Sequence, residues 1–164
     1  MNVQSTDLRS ATEGALSEPA TATAFVLDLR EEGRSGRAAL GPMPELSEAD
    51  RAAAIGTWRG RMINEHVSAR VFAALLPQLM RGGVAPKWQA KVAQAIGDEL
   101  RHGRQCAAVV TALGGDAVAE VAALEDVPQH LDATPLEAAL RNVLSISCLS
   151  ETVAVALIGA ERLR

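Results

Sequence analysis

The stretch DELRHGRQC, residues 98–106, places three groups capable of chemistry at helical spacing. Glu99, His102 and Cys106 follow one another at intervals of three and four residues, so a helix carries them on one side. A carboxylate beside an imidazole is a ligand set that suits iron, manganese or zinc. The thiol is open to two interpretations, a small buried core residue or a redox-active neighbour of such a site.

Carboxylates interrupt the apolar stripes of three predicted helices. Apolar residues at helical spacing run from Ile55 to Leu79, from Trp88 to Leu113, and from Leu140 to Ile158. Each stripe has one acidic member near its middle, and these are Glu65, Glu99 and Glu151. Each helix therefore points one carboxylate into the seam that should face its neighbours.

The three carboxylates are expected at a common depth. Glu65 lies fifteen residues before Met80, and Glu99 lies thirteen after Pro86. With a rise of about 1.5 Å per residue, the two are level across an antiparallel pair. Glu151, seventeen residues after Thr134, reaches a similar depth.

Three buried carboxylates at one depth predict a bound cation. An ionised carboxylate in a dry interior is costly, so it takes up a proton or pairs with a cation. Arg61 and Arg101 lie off the stripes, and Arg162 is more than two turns from Glu151. Each signal alone has another explanation: a single Glu on a stripe often lies at a helix end or pairs with Arg, and Glu-x-x-His arises by chance.

The elements that would position these residues divide the chain into an arm and a helical domain. Residues 1–46, rich in Ser, Thr, Gly and charge, are interpreted as an arm that is mobile or loosely docked. Residues 47–164 form the domain, whose first helix runs from Ser47 to about Met80 and whose second runs from Pro86 to about Leu113. A connection of about twenty residues, with room for one helical turn near 119–124, leads to a third helix that begins with the capping box Thr134-Pro135-Leu136-Glu137.

The composition fits this all-α interpretation and excludes several partners. The chain has 164 residues, is 48% hydrophobic, carries two Trp, two Phe and no Tyr, and has a net charge of -4. It has no long basic run for nucleic acid, no signal segment and no run of membrane-spanning length. Two Cys on separate helices do not form a disulfide scaffold, so a soluble cytoplasmic protein is expected.

These motifs resemble the ferritin-like di-iron carboxylate superfamily. In chain order the family pattern is Glu, Glu-x-x-His, Glu and a second Glu-x-x-His on four helices of an antiparallel bundle. RMINEHVSA supplies Glu65, GDELRHG supplies Glu99 and His102, and CLSETVA supplies Glu151. The resemblance covers residues 47–164, with a long crossover between helices two and three, and it implies an incomplete bundle of three core helices.

The fourth term of the pattern is missing from this sequence. No His occurs in residues 1–46, His66 points about 100° away from Glu65, and His130 lies in the connection. Three explanations stay open: the chain is a fragment, two copies combine their ligands, or the bundle is degenerate and binds metal weakly or not at all. The apolar flank of three helices predicts a homodimer or a larger homo-oligomer in each case.

The resemblance implies a dinuclear iron site that uses O2 or peroxide on an unknown small-molecule substrate or electron donor. It implies that Glu99 bridges two ions, that Glu65 and His102 are terminal ligands, and that Glu151 bridges or terminates. The absence of Tyr excludes a tyrosyl-radical role, and the absence of Cys-x-x-Cys disfavours a rubrerythrin with its own electron-transfer domain.

Three more residues are candidates near such a site. Cys106 and Cys148 are a possible thiol pair beside the metals, or else core residues, and Asp98 is a candidate acceptor for a ligand. The alternative function is a non-catalytic helical interaction protein with weak or no metal binding.

Overall fold

The computed structural model describes residues 24–123 and 126–148, together with residues 152, 153, 155, 156 and 159. Its elements follow the order strand, two helices, a third helix, a second strand and a fourth helix that changes to a π-helical winding. They are β1 (Phe25–Asp28), α1 (Arg30–Arg37), α2 (Glu48–Arg81), α3 (Pro86–Ala112), β2 (Val118–Val121), α4 (Pro135–Asn142) and the π-helical segment Val143–Cys148. The described chain is mostly helical, as the sequence predicts.

Helices α2 and α3 form the long antiparallel pair that carries the candidate ligands. The Ser47 hydroxyl caps α2 by accepting a hydrogen bond of 3.1 Å from the Asp50 backbone N–H. The helix ends at Gly82, and the following Gly83 adopts a φ of +67°, which a side chain would disfavour. Pro86 then starts α3, so the short connection turns the chain back along α2.

The core lies between this pair and the small sheet. Met62, Ala107, Val110 and Val121 are almost completely buried there. Trp88 is different, because it is 57% exposed and lies beside the Lys87 ammonium group. The interpretation of Trp88 as a core anchor is therefore wrong for this structure.

Strands β1 and β2 tie the arm to the crossover. They pair antiparallel, with Phe25 opposite Val121 and Asp28 opposite Val118. The expected helical turn near 119–124 is thus wrong over the residues of β2. Alternation explains the strand, because Ala119 and Val121 are buried against the core while Glu120 faces solvent.

Helix α1 docks closely on α3 through two glycines. A Cβ on Gly33 would lie 2.4 Å from Thr111 Oγ1, and one on Gly36 would lie 2.9 Å from the Ala108 Cβ. The described part of the predicted arm therefore packs on the helical pair, and residues 1–23 lie outside the described residues.

Replacing Gly33 with Ala is expected to push α1 away from α3. The added methyl group meets Thr111 and the Ala107 carbonyl, so the substitution should destabilise the protein by about 1–3 kcal/mol. Urea unfolding and limited proteolysis of residues 24–47 would measure the change. Arg34→Ala, an exposed position on the same helix, is the control and should stay within about 0.5 kcal/mol of wild type. Wild-type stability in Gly33→Ala would show that α1 does not dock as described.

Helix α4 packs on α2 with a face different from the predicted one. Leu140 and Leu144 are 48% and 60% exposed, whereas Ala138, Ala139 and Asn142 are buried. The predicted core-facing stripe of the third helix is therefore wrong for these leucines. Two alanines let the helix approach its neighbour closely, and this sets which side is buried.

A buried polar network holds α4 against α2. The Asn142 amide group is fully buried and donates hydrogen bonds of 2.7 Å to Gln78 Oε1 and to the Pro128 carbonyl. His130 Nε2 lies 2.8 Å from Asn142 Oδ1, so the imidazole donates there. His130, predicted to lie at the surface or to cap, is thus part of the support for α4.

Substitution Asn142→Ala is expected to lower the free energy of unfolding by about 2–4 kcal/mol, because it leaves Gln78, His130 and the Pro128 carbonyl without this partner. Chemical denaturation at constant pH measures this loss. The exposed Asn64→Ala serves as the control, with an expected change below about 0.5 kcal/mol. Equal stability of the two variants would contradict the role of the network.

In the part of the chain that the structure describes, no helix is both long and apolar enough to cross a membrane.

Candidate metal centre

Two helices bring three of the predicted ligands together. Glu65 projects from α2, and Glu99 and His102 project from the facing side of α3. A ligand atom from each residue lies within 4.8 Å of the other two. The helices approach closely at this point because Gly103 has no side chain: a Cβ there would lie 3.7 Å from the Glu65 Cβ.

The contacts of His102 orient its ring between the two helices. His102 Nδ1 lies 3.5 Å from Glu65 Oε2, and Arg101 Nη2 lies 3.4 Å from His102 Nε2. A neutral ring with its proton on Nδ1 satisfies both neighbours. The side chains of Glu65 and His102 are 28% and 43% exposed, so the site is reached from one flank of the pair.

Asp98 acts on this site through an arginine. Its carboxylate accepts a hydrogen bond of 2.8 Å from Arg101 Nη1, and the same guanidinium group faces His102. The structure therefore places the predicted acceptor one residue removed from the imidazole.

The two carboxylates strongly affect each other. Burial, followed by the hydrogen bond and the negative charge of Glu65, raises the pKa of Glu99 to about 7, and His102 acts in the opposite direction. A proton between the two carboxylates relieves their repulsion in the protein alone. A divalent cation relieves it equally well, and two carboxylates with an imidazole are suitable donors for iron, manganese or zinc. The residues present therefore fit a metal ion.

The other predicted residues do not join this cluster in the described structure. Glu151 lies outside the described residues, so its predicted role stays a prediction. Cys148 is exposed, whereas Cys106 is buried one turn beyond His102. Burial raises the pKa of the Cys106 thiol to about 11, so it is protonated at neutral pH.

A groove opens along the flank from which the site is reached. Its volume is about 1010 Å³; residues 101–109 of α3 form its floor, and α1 and α2 form its two walls. We call this space the α3 groove. Trp58, Arg61 and Glu65 line it from α2, and Glu31 and Glu32 line it from α1.

The contribution of α1 to this groove was missed by reasoning from the sequence. The signal was present in REEGRSGR, residues 30–37, where glycines three apart give a helix one bare side. A smaller cavity of about 200 Å³ lies on the opposite flank, beneath β1 and α1, and Glu99 and His66 border it. His66 also lies against the Phe25 ring, which agrees with the prediction that it does not share the direction of Glu65.

No family model, curated protein or solved structure matches this chain. The functional argument therefore depends on the geometry of the cluster and of the groove.

The raised pKa of Glu99 predicts the pH dependence of stability in the metal-free protein. The folded state keeps a proton up to about pH 7, whereas an unfolded Glu loses it near pH 4.3. Between these values the folded state binds more protons, so the free energy of unfolding should fall as the pH rises. Urea unfolding at several pH values across this range, with metal removed by a chelator, measures the slope.

Glu99→Gln should flatten this slope, because the amide does not titrate. Glu120→Gln removes an exposed carboxylate from β2 and should keep the wild-type slope. Equal slopes in wild type and Glu99→Gln would contradict the shared proton.

Proposed function

We propose that this chain is a ferritin-like metal protein that acts as an oxidoreductase towards O2 or peroxide. In this proposal Glu65, Glu99 and His102 hold the metal, with iron as the first candidate and manganese or zinc as alternatives. A small-molecule substrate or an electron donor binds in the α3 groove. The carrying observation is the convergence of the three ligand atoms within 4.8 Å between two antiparallel helices.

The position of the cluster supports this assignment over an ordinary ion pair. Glu99 faces two negative neighbours, Glu65 and Asp98, and only partial compensation from His102. Such an arrangement stabilises the protein poorly unless a proton or a cation is bound. Sites built for metals commonly place acidic groups and an imidazole together in this way.

The residues of the chain have distinct tasks in this site. Glu65 and Glu99 release their shared proton when they bind the cation, and His102 presents Nδ1 on the same side. Arg101, itself held by Asp98, fixes the opposite side of the imidazole ring. Bound iron supplies reversible one-electron redox chemistry.

The α3 groove gives the site its access and its selectivity. Apolar surface from Trp58 and Val109 and charged surface from Arg61 and Glu31 border the path to Glu65 and His102. The Arg61 guanidinium lies 5.3 Å from the centre of the Trp58 ring, which keeps a flat apolar face and a cation together. The protonated thiol of Cys106 lines the same space. We also propose a cytoplasmic location, which the free thiols of Cys106 and Cys148 support.

Metal binding is the direct test. Wild-type protein purified with iron, and separately with manganese or zinc, should retain metal, and His102→Ala should bind it at least about tenfold more weakly. Calorimetric titration and elemental analysis measure affinity and stoichiometry. His66→Ala is the matched control, because this imidazole follows Glu65 in the chain but lies against Phe25.

Metal content that is negligible in wild type and unchanged in His102→Ala and Glu99→Ala would contradict the proposal. The non-catalytic interaction protein would then be the better description.

A further inference from the structure

One flank of the α2–α3 pair carries two stripes of residues at seven-residue spacing. The stripes consist of Trp58, Glu65 and Phe72 on α2, and of Trp88, Ala95, His102 and Val109 on α3. Spacing of seven residues keeps side chains in line along a seam that packs against further helices. Trp88 is 57% exposed, and the other six residues are only partly buried. We call these two stripes together the open flank.

We propose that a second copy of this chain packs its open flank against this one about a two-fold axis, and that each copy supplies Glu65, Glu99 and His102 to one shared dinuclear site. This inference rests on the proposed metal-binding function. It names the partner that completes the site.

The ligand count favours two identical contributions. One copy brings a Glu on one helix and a Glu-x-x-His on the next. Two copies bring four Glu and two His, which is the full set of a dinuclear carboxylate site in a four-helix bundle. The described residues of both copies complete this set without Glu151.

The position of the ligands along the helices fits the same symmetry. Glu99 has thirteen residues of α3 on either side, and Glu65 has seventeen residues of α2 before it and sixteen after it. A two-fold axis through the midpoint of both helices superimposes the two pairs along their whole length. An off-centre site would leave one end of each pair without a partner.

The charges on this surface are also compatible with self-association. Three acidic residues, Glu31, Glu32 and Glu65, and three basic ones, Arg61, Arg101 and Arg104, line the α3 groove. Balanced charges let the same surface of two copies meet without net repulsion. The flat side chains of Trp58 and Trp88 would lose their contact with water in such a dimer.

The test compares mass and metal content in variants of the open flank. Light scattering should give the mass of a dimer for the iron-loaded full chain, with about one iron per chain. Ala95→Arg places a charge one turn from Glu99 and should give a monomer whose iron content is at least about tenfold lower. Ala93→Arg, on the exposed opposite side of α3, is the matched control and should keep both the mass and the iron.

Two further variants keep the inference falsifiable if Ala95→Arg disturbs folding. Trp88→Glu changes a side chain that is already 57% exposed, so the fold should tolerate it while the dimer is lost. Glu151→Gln should leave dimer mass and iron content unchanged, because the shared site is complete without Glu151.

The outcomes separate this inference from the proposed function. A monomeric wild type that binds iron through Glu99 would overturn the shared site and leave the metal function intact. The inference also fails if a dimer persists in both Ala95→Arg and Trp88→Glu, or if Glu151→Gln loses its iron. Iron content that is insensitive to Glu99→Ala would overturn the proposed function itself, whatever the mass of the protein.

Discussion

The repulsion between the carboxylates of Glu65 and Glu99 is the constraint around which the α2–α3 pair is organised. Helices that meet at Gly103 bring these groups closer than a larger residue would allow. A core made only for stability would place apolar side chains here, since desolvated charges of one sign cost free energy. The surrounding structure tolerates the cost: His102 gives partial compensation, a shared proton removes one charge, and the open flank admits water.

The features that local sequence controls were predicted well. Ser47, Thr134 and Pro86 begin helices as their side chains dictate, and the glycines after Arg81 end α2. Periodicity alone placed Glu65, Glu99 and His102 on facing sides of an antiparallel pair, because a helix fixes direction within a few tens of degrees. These three ligand candidates therefore followed from spacing and from one short connection.

Contacts between distant parts of the chain were beyond the same reasoning. The stripe of Leu140 and Leu144 satisfies the periodicity of a buried face, yet Ala138 and Asn142 are buried instead, because the close approach of α4 to α2 depends on small side chains and on a hydrogen bond to Gln78. Likewise, four residues of β2 are too few to show a strand unless β1 is already beside them. The bundle with four helices stays a prediction, and so does the role of Glu151.

The sheet that joins β1 to β2 also has a consequence for the order in which the molecule folds. Its paired residues lie 90 to 96 positions apart in the chain, whereas α2 and α3 meet through a connection of four residues. Closing a long loop costs more entropy than closing a short one, and an isolated pair of short strands is only marginally stable in water. The helical pair with its ligands therefore forms first, and the strand and α1 assemble last on a surface that already exists. The wall that α1 gives to the groove is accordingly the part of the site that opens at the lowest cost, while the ligands stay in place.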